Sequence, residues 1–243
     1  MTAPTPPQRT RLDVIDPALV GERLARLRAA LDEAARAAGR THGPAVLVAS
    51  KYFEPPAIAD LVRAGATLLG ENRAEVIAAK QAVAPAGVPV QWDYIGELQS
   101  RKVRDFAPLV TRIHTLASDS AVRKLRALAD EGAAVPELLV QVNVAGDAGK
   151  GGLAPDELPA FLETSAGLPV RGLMTMPPLA TSPDESRRWF ASLRELAAAH
   201  DLADLSMGTS QDALVAAAEG ATVVRVGGLL HDRAAWERLF PDG

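Results

Sequence analysis

Eight short apolar segments alternate along this chain with segments of helical periodicity, and this alternation constrains the fold more than any other feature. Apolar runs that alternate with amphipathic helices are typical of proteins with parallel sheets. The predicted strands are residues 46–50, 67–70, 90–95, 112–116, 137–144, 170–174, 205–207 and 222–226. The predicted helices that follow them are residues 56–64, 74–83, 100–106, 119–131, 155–165, 183–200, 211–219 and 234–240.

Eight strands, each followed by a helix, predict an α/β fold of the (β/α)8 TIM-barrel type, and 243 residues match its length. An additional helix, starting at Asp16 and Pro17, is expected before the barrel. The main alternative is a doubly wound open sheet, but no Gly-x-Gly-x-x-Gly motif follows the first strand. We therefore predict one barrel domain over residues 13–243, after a disordered Pro- and Thr-rich tail of residues 1–12.

The composition excludes several classes of protein. A formal net charge of −4 gives no basic surface to bind the phosphates of nucleic acid. With only 4% aromatic residues, the chain also has few side chains on which bases could stack. The chain has no cysteines, and its four histidines lack metal-ligand spacing. No apolar run approaches bilayer-spanning length, and the N-terminus lacks the apolar core of a signal peptide. We expect a cytoplasmic protein, and a monomer because no extended apolar patch or coiled-coil seam is evident.

The first apolar run, residues 45–50, ends directly at Lys51. Consecutive apolar residues indicate a strand that is buried on both faces, and Pro55 and Pro56 prevent its continuation. Lys51 is therefore expected at the rim of the barrel where functional groups collect. A partly desolvated lysine amine can act as a nucleophile and form a Schiff base. The alternative is a lysine that only keeps the end of the strand soluble.

Small residues follow the last two predicted strands, where barrels tend to bind phosphate. Ser210 and the backbone amides of Gly227 and Gly228 are the candidates for a phosphate site. Alternatively, Ser210 caps the helix of residues 211–219 and the two glycines form an ordinary turn. Met207 and Asn72 belong to the same group of strand-end residues, and Asn72 on its own suggests a structural hydrogen bond at the rim.

Arg225 lies inside the apolar strand of residues 222–226, so its charge needs an acceptor. A salt bridge to a barrel carboxylate such as Glu71 would supply one. The functional alternative is that Arg225 faces the ring nitrogen of a heteroaromatic ligand.

Several motifs at these predicted strand ends together resemble the pyridoxal phosphate homeostasis protein family, also called the YggS/PROSC family. The resemblance extends from about residue 19 to residue 230. The motifs are Ser50-Lys51, Gly70-Glu71-Asn72, Tyr94-Ile95-Gly96-Glu97-Leu98-Gln99-Ser100-Arg101-Lys102, Gln141-Val142-Asn143, Gly172-Leu173-Met174, Leu205-Ser206-Met207-Gly208-Thr209-Ser210 and Val224-Arg225-Val226-Gly227. The family has a fold like the N-terminal barrel of alanine racemase and binds pyridoxal 5′-phosphate (PLP) covalently.

The resemblance implies a role for each candidate residue. Lys51 would hold PLP as an aldimine, Ser210 with the Gly227 and Gly228 amides would hold its phosphate, and Arg225 would lie against the pyridine nitrogen. Asn72 and Met207 would complete the cofactor site. No residue is expected to be catalytic and no metal is expected.

The function that the resemblance implies is intracellular PLP homeostasis without strong catalytic activity, with PLP-dependent apoenzymes as transient partners. The alternatives are a PLP-dependent amino-acid racemase, with Tyr94 and Asp93 as candidates for its second acid, and a Schiff-base aldolase without a cofactor. The chain departs from the usual family pattern at Asp93, where a histidine is common, and at Gly228, where Thr or Ser is common. A third departure is Tyr52, directly after the lysine.

Overall fold

The computed structural model describes residues 11–241, in which eight parallel strands form a closed barrel. The strands are β1 (Ala45–Ala49), β2 (Leu68–Glu71), β3 (Gln91–Tyr94), β4 (Arg112–Leu116), β5 (Glu137–Gln141), β6 (Val170–Met174), β7 (Asp204–Thr209) and β8 (Val223–Val226). Each strand pairs with the next along the chain, and β1 pairs with β8 to close the barrel. The predicted (β/α)8 fold is thus confirmed, and the open-sheet alternative is wrong.

All helices except the first follow the strands along the chain and surround the barrel, and the first helix comes before the first strand. The helices are α1 (Pro17–Ala37), α2 (Pro55–Arg63), α3 (Ile77–Ala82), α4 (Val103–Phe106), α5 (Asp119–Asp130), α6 (Leu158–Thr164), α7 (Arg187–Ala198), α8 (Ala213–Ala218) and α9 (Arg233–Leu239). The carboxylate of Asp16 caps α1 by accepting hydrogen bonds from the amides of Ala18 and Leu19, and Pro17 occupies the first helical position. The start predicted for this helix is confirmed.

The apolar core lies between the barrel and its helices. Successive side chains of a barrel strand point alternately inward and outward. In β8, Val224 and Val226 belong to the fully buried apolar cluster, whereas Arg225 between them donates a hydrogen bond inside the barrel to Ser206 of the adjacent β7. The barrel interior therefore holds polar groups, and the outward-facing side chains build the hydrophobic core.

The predicted strand of residues 137–144 is longer than the observed strand. β5 ends at Gln141, and Val142 then forms an isolated bridge with Leu153. The hydrophobic run continues past the point where the main sheet ends because Val142 is buried in this local pairing. Apolar character thus indicates burial correctly but overestimates the length of the strand.

The predicted tail of residues 1–12 lies mostly outside the described residues, which begin at Arg11. Leu12 forms a parallel bridge with Phe53, and its amide donates to the carbonyl of Tyr52 at 3.0 Å. Arg11 forms an ion pair with Glu54 at 3.0 Å. Residues 11 and 12 are thereby attached to the loop that follows β1.

No helix between residues 11 and 241 is long and apolar enough to cross a membrane. The same residues include no group of three or more His, Cys, Asp or Glu side chains placed to hold a metal ion.

Candidate functional site

A cavity of about 1860 Å³ opens at the carboxyl ends of the barrel strands. All strands are parallel, so their carboxyl ends and the loops that follow meet at this one face. Six of the seven predicted site residues line the cavity: Lys51, Asn72, Ser210, Arg225, Gly227 and Gly228. The structure therefore brings together residues that are separated by up to 177 positions in the chain, from Lys51 to Gly228.

Lys51 lies in a single 3₁₀ turn, Ser50–Tyr52, that directly follows β1. Its side chain is half-buried, and its Nζ lies 5.3 Å from the centroid of the Tyr52 ring. The buried Ser50 fixes the start of this turn, because its single hydroxyl hydrogen is shared between the Gly70 carbonyl at 3.2 Å and the Glu71 carboxylate at 2.9 Å. The turn that carries the predicted nucleophile is thus attached to β2.

A buried ion pair supports the same turn. Lys80 of α3 donates to the carboxylate of Glu71 and, at 2.7 Å, to the backbone carbonyl of Ser50. Glu71 also accepts hydrogen bonds from the amides of Asn72 and Arg73. Lys80 was not among the predicted site residues; its spacing of three from the buried Ile77 places it on the same face of α3, but a lysine there is ordinarily expected at the surface.

The Arg225 side chain lies inside the barrel and is only 8% exposed. Its Nη1 donates to the hydroxyl of Ser206 at 2.6 Å, and its Nη2 donates to the carbonyl of Thr175 at 2.9 Å. The salt bridge to Glu71 considered from the sequence is absent among the described residues, because the carboxylate is already paired with Lys80. Burial lowers the pKa of Arg225 to about 10, so the guanidinium still carries its charge at neutral pH.

The predicted phosphate cradle consists of two adjoining loops, which follow β7 and β8. Within the described range, the backbone amides of Ser210, Gly227 and Gly228 donate no hydrogen bond to a backbone carbonyl. A Cβ on Gly227 would lie 2.3 Å from the ring of Tyr52, so this position has no room for a side chain. A Cβ on Gly228 would meet nothing within 4 Å. The cradle is therefore closed by the Tyr52 ring beside Gly227 and has space for a side chain beside Gly228.

Ser210 does not cap the helix that follows it, which corrects the alternative considered from the sequence. α8 begins only at Ala213, and its N-cap residue is Asp212. The carboxylate of Asp212 accepts hydrogen bonds from the amide and hydroxyl of Thr209 and from the hydroxyl of Ser186. The loop around Ser210 is thus held by Asp212, and Ser210 lies at the wall of the cavity.

Asn72 and Met207 differ in their placement. Asn72 is exposed at the cavity wall, and a Cβ on the neighbouring Gly96 would lie 2.3 Å from its carbonyl oxygen. Gly96 is therefore needed for the close approach of the two loops. Met207 is fully buried in the apolar cluster and does not line the cavity. Since Ser206 faces the barrel interior, strand alternation turns Met207 toward the helices.

Neither residue named as a second acid for racemisation lines the cavity. Asp93 is buried in the barrel and accepts a hydrogen bond from His114. Tyr94 stacks on Phe106 with ring centroids 4.1 Å apart, and its hydroxyl donates to the carbonyl of Glu97. Burial and neighbouring carboxylates raise the pKa of Tyr94 to about 12, so this phenol is a weak acid.

Comparisons with known proteins identify relatives of this chain. The family model of the alanine racemase N-terminal domain matches residues 27–231. A pyridoxal phosphate homeostasis protein of Aquifex aeolicus is 36% identical over 219 residues, which cover 86% of this chain and 96% of that relative.

A solved structure gives a second comparison. PipY of Synechococcus elongatus, solved with PLP bound, superposes with a TM-score of 0.73 and 33% identity. That match covers 87% of this chain and 99% of the PipY chain. The PipY structure without PLP has a TM-score of 0.76 and 34% identity, with the same coverage.

The family model spans most of the barrel, and the Aquifex relative matches over nearly its whole length. This chain therefore belongs to the alanine racemase N-terminal domain family and, within it, to the pyridoxal phosphate homeostasis proteins.

Proposed function

We propose that this chain binds PLP in the cavity at the carboxyl end of the barrel and acts in PLP homeostasis. The observation that carries the proposal is the placement of Lys51, Arg225 and the Ser210, Gly227 and Gly228 cradle around one cavity. The relative PipY, at 33% identity, has been solved with PLP bound, which supports the same ligand here.

The residues of the cavity fit PLP in three respects. The cofactor supplies an aldehyde, which condenses with a lysine amine to form a Schiff base and release water. Lys51 offers that amine at the cavity wall. The unused amides of Gly227 and Gly228 and the Ser210 hydroxyl can donate to phosphate oxygens, and the open side of Gly228 leaves space for them.

Arg225 supports holding of the cofactor rather than catalysis. A charged guanidinium beside the pyridine nitrogen disfavours protonation of that nitrogen. An unprotonated ring withdraws electrons less strongly from a reacting carbon. The Arg225 side chain therefore favours a cofactor that is bound and weakly activated.

The racemase alternative requires a second acid–base group that faces Lys51. The two residues considered for that role, Tyr94 and Asp93, are buried away from the cavity. We therefore place the racemase second, and we propose that the chain has no strong catalytic activity.

The remaining parts of the proposal concern the cellular setting. We propose a cytoplasmic monomer that transfers PLP to apoenzymes during transient contacts. The large exposed apolar side chains of the described residues fall in three separate regions of the chain, which supports a monomer: Val14, Leu19, Val83, Val88, Met176 and Leu179.

The experiment is an absorption spectrum of the purified protein with and without added PLP, followed by borohydride reduction and mapping of the modified lysine. The expected result is a band that borohydride abolishes, with the label on Lys51. Lys51→Ala should lack the band. Lys150 also lines the cavity, so Lys150→Ala is the matched control and should retain it. A label on Lys150, or no band in the unmodified chain, would contradict the proposal.

The same protein, loaded with PLP, separates the two candidate functions. Incubation with a single enantiomer of alanine should leave its configuration unchanged. Formation of the opposite enantiomer, lost in Lys51→Ala, would favour the racemase.

A further inference from the structure

Four side chains form a continuous line of hydrogen bonds through the interior of the barrel. Asp93 of β3 contacts His114 of β4 through Oδ2 and Nε2 at 3.0 Å, and His114 Nδ1 lies 2.8 Å from the hydroxyl of Ser206 on β7. Ser206 in turn accepts a hydrogen bond from Arg225 of β8 at 2.6 Å. All four are buried, and Arg225 is the member that lines the cavity.

The Asp93 carboxylate and the Arg225 guanidinium, at the two ends of the line, determine which group donates in each hydrogen bond. An ionised carboxylate only accepts hydrogen bonds, so His114 Nε2 carries a hydrogen and donates to Asp93. In a neutral imidazole, Nδ1 is then an acceptor and receives the hydrogen of the Ser206 hydroxyl. The lone pairs of the Ser206 oxygen are thereby available to Arg225, which can only donate.

A doubly protonated His114 would break this order. Nδ1 would then donate to the Ser206 oxygen, and the Ser206 hydroxyl hydrogen would lose His114 as its acceptor. Burial lowers the pKa of His114, and the nearby charges of Arg225 and Arg112 act in the same direction, against the opposing effect of Asp93. The neutral form of His114, which this order of donors and acceptors requires, is therefore favoured.

Asp93 is itself oriented by a neighbour. The side-chain amide of Gln91, also on β3, donates to the other carboxylate oxygen of Asp93 at 3.2 Å. The guanidinium at the opposite end is held from a second side, because its Nη2 donates to the carbonyl of Thr175. A negative and a positive charge are thus joined across the barrel by two neutral side chains.

We propose that Asp93, His114 and Ser206 are positioning residues that hold the guanidinium of Arg225 in place at the ring-nitrogen end of bound PLP. This inference rests on the proposed PLP site. It assigns a role to Asp93, a position at which the resembling family commonly has histidine. A carboxylate at position 93 can only accept a hydrogen bond, so every donor and acceptor along the line is fixed. A neutral histidine at that position could either donate or accept.

The test uses Ser206→Ala, which removes the link next to Arg225. Ser206→Thr, which keeps the hydroxyl, is the conservative variant. Ser165→Ala is the matched control, because Ser165 is equally buried but its hydroxyl donates only to a helix carbonyl at Leu162. Asp93→Asn removes the charge that fixes the direction while keeping the shape.

The first measurement is the ¹⁵N spectrum of His114 in the full chain without PLP. The unmodified chain and Ser165→Ala should show neutral imidazole protonated at Nε2. Asp93→Asn should show a mixture of the two tautomers, because an amide can either donate or accept. Protonation at Nδ1 in the unmodified chain would overturn the proposed direction.

The second measurement is the dissociation constant and absorption spectrum of bound PLP. Ser206→Ala should bind PLP about tenfold more weakly, equivalent to about 1.4 kcal/mol, and its absorption maximum should shift. Ser206→Thr should restore both. If the unmodified chain binds PLP and Ser206→Ala matches it in affinity and spectrum, the positioning role is overturned while the PLP site stands. If the unmodified chain does not bind PLP, both are overturned.

Discussion

The ammonium group of Lys80 lies against the carboxylate of Glu71, and neither side chain is exposed to solvent. Glu71 ends β2 and Lys80 belongs to α3, so the pair joins a barrel strand to the helix that follows it. Lys80 also donates to the carbonyl of Ser50, in the turn that carries Lys51. The buried pair therefore contributes both to the fold and to the position of the proposed cofactor lysine.

Replacement of Lys80 by methionine should strongly destabilise the protein. The substitution leaves the Glu71 carboxylate buried without its cation, which typically costs about 3–5 kcal/mol. Denaturant unfolding measures the change. The control is Lys102→Met, which removes an exposed ion pair with Glu75 at 3.5 Å and should cost no more than about 1 kcal/mol. Equal losses in the two variants would show that the buried pair does not stabilise the fold.

Adjacent glycines should respond differently to the same substitution. Gly227→Ala places a methyl group 2.3 Å from the Tyr52 ring and 3.3 Å from the Ala49 side chain. The resulting overpacking should cost about 1–3 kcal/mol and displace Tyr52 from the cradle, which weakens PLP binding. Gly228→Ala meets nothing within 4 Å and should change stability by no more than about 0.5 kcal/mol. Thermal unfolding and PLP titration of both variants test this difference, and a larger effect at Gly228 would contradict it.

A hydroxyl restored at position 228 should tighten PLP binding. The space around the Gly228 Cβ position accommodates a serine side chain without displacing a neighbour. A hydrogen bond to a charged phosphate contributes about 1.5–3 kcal/mol when it forms with good geometry. Gly228→Ser should therefore lower the PLP dissociation constant by about tenfold or more. Gly228→Ala is the control for the added carbon, and equal affinities of the Ser and Ala variants would show that the hydroxyl does not reach the phosphate.

The sequence was sufficient to predict the barrel and most of the cavity wall. Parallel strands bring their carboxyl ends to one face, so a residue placed correctly at the end of a strand is also placed near the site. Lys51, Gly227 and Gly228 were found in this way. Met207 was predicted in the site but is buried in the apolar cluster. The sequence of a short apolar strand does not reveal which of its side chains face the barrel interior.

The contacts behind the cavity wall could not be read from the sequence. The pairs His114–Ser206 and Ser206–Arg225 are separated by 92 and 19 positions, and only closure of the barrel brings these residues into contact. The Glu71–Lys80 pair is close in sequence. A lysine on a short helix would ordinarily be assigned to the surface, however, whereas Lys80 is buried together with its partner Glu71 at the end of β2.

The stability of the protein should depend on pH through His114. Its side chain is fully buried, and burial lowers the pKa of the folded state below the ordinary value of 6.5. The unfolded chain therefore binds a proton at this residue more readily than the folded chain does. The stabilising contribution is complete above about pH 6.5 and is lost as the pH falls below that value toward the folded-state pKa.

The expected result is a decrease in the free energy of unfolding as the pH falls below about 6.5, with this residue contributing up to about 1.4 kcal/mol per pH unit. Carboxylates with lowered pKa values, such as Glu137 and Glu185, add their own losses at lower pH. His114→Gln should remove the His114 part of the slope, whatever its effect on stability at neutral pH. His42→Gln is the control, since His42 is exposed. An identical slope in His114→Gln and the unmodified chain would mean that His114 is protonated equally readily in the folded and unfolded states, which the buried line to Asp93 and Ser206 does not permit.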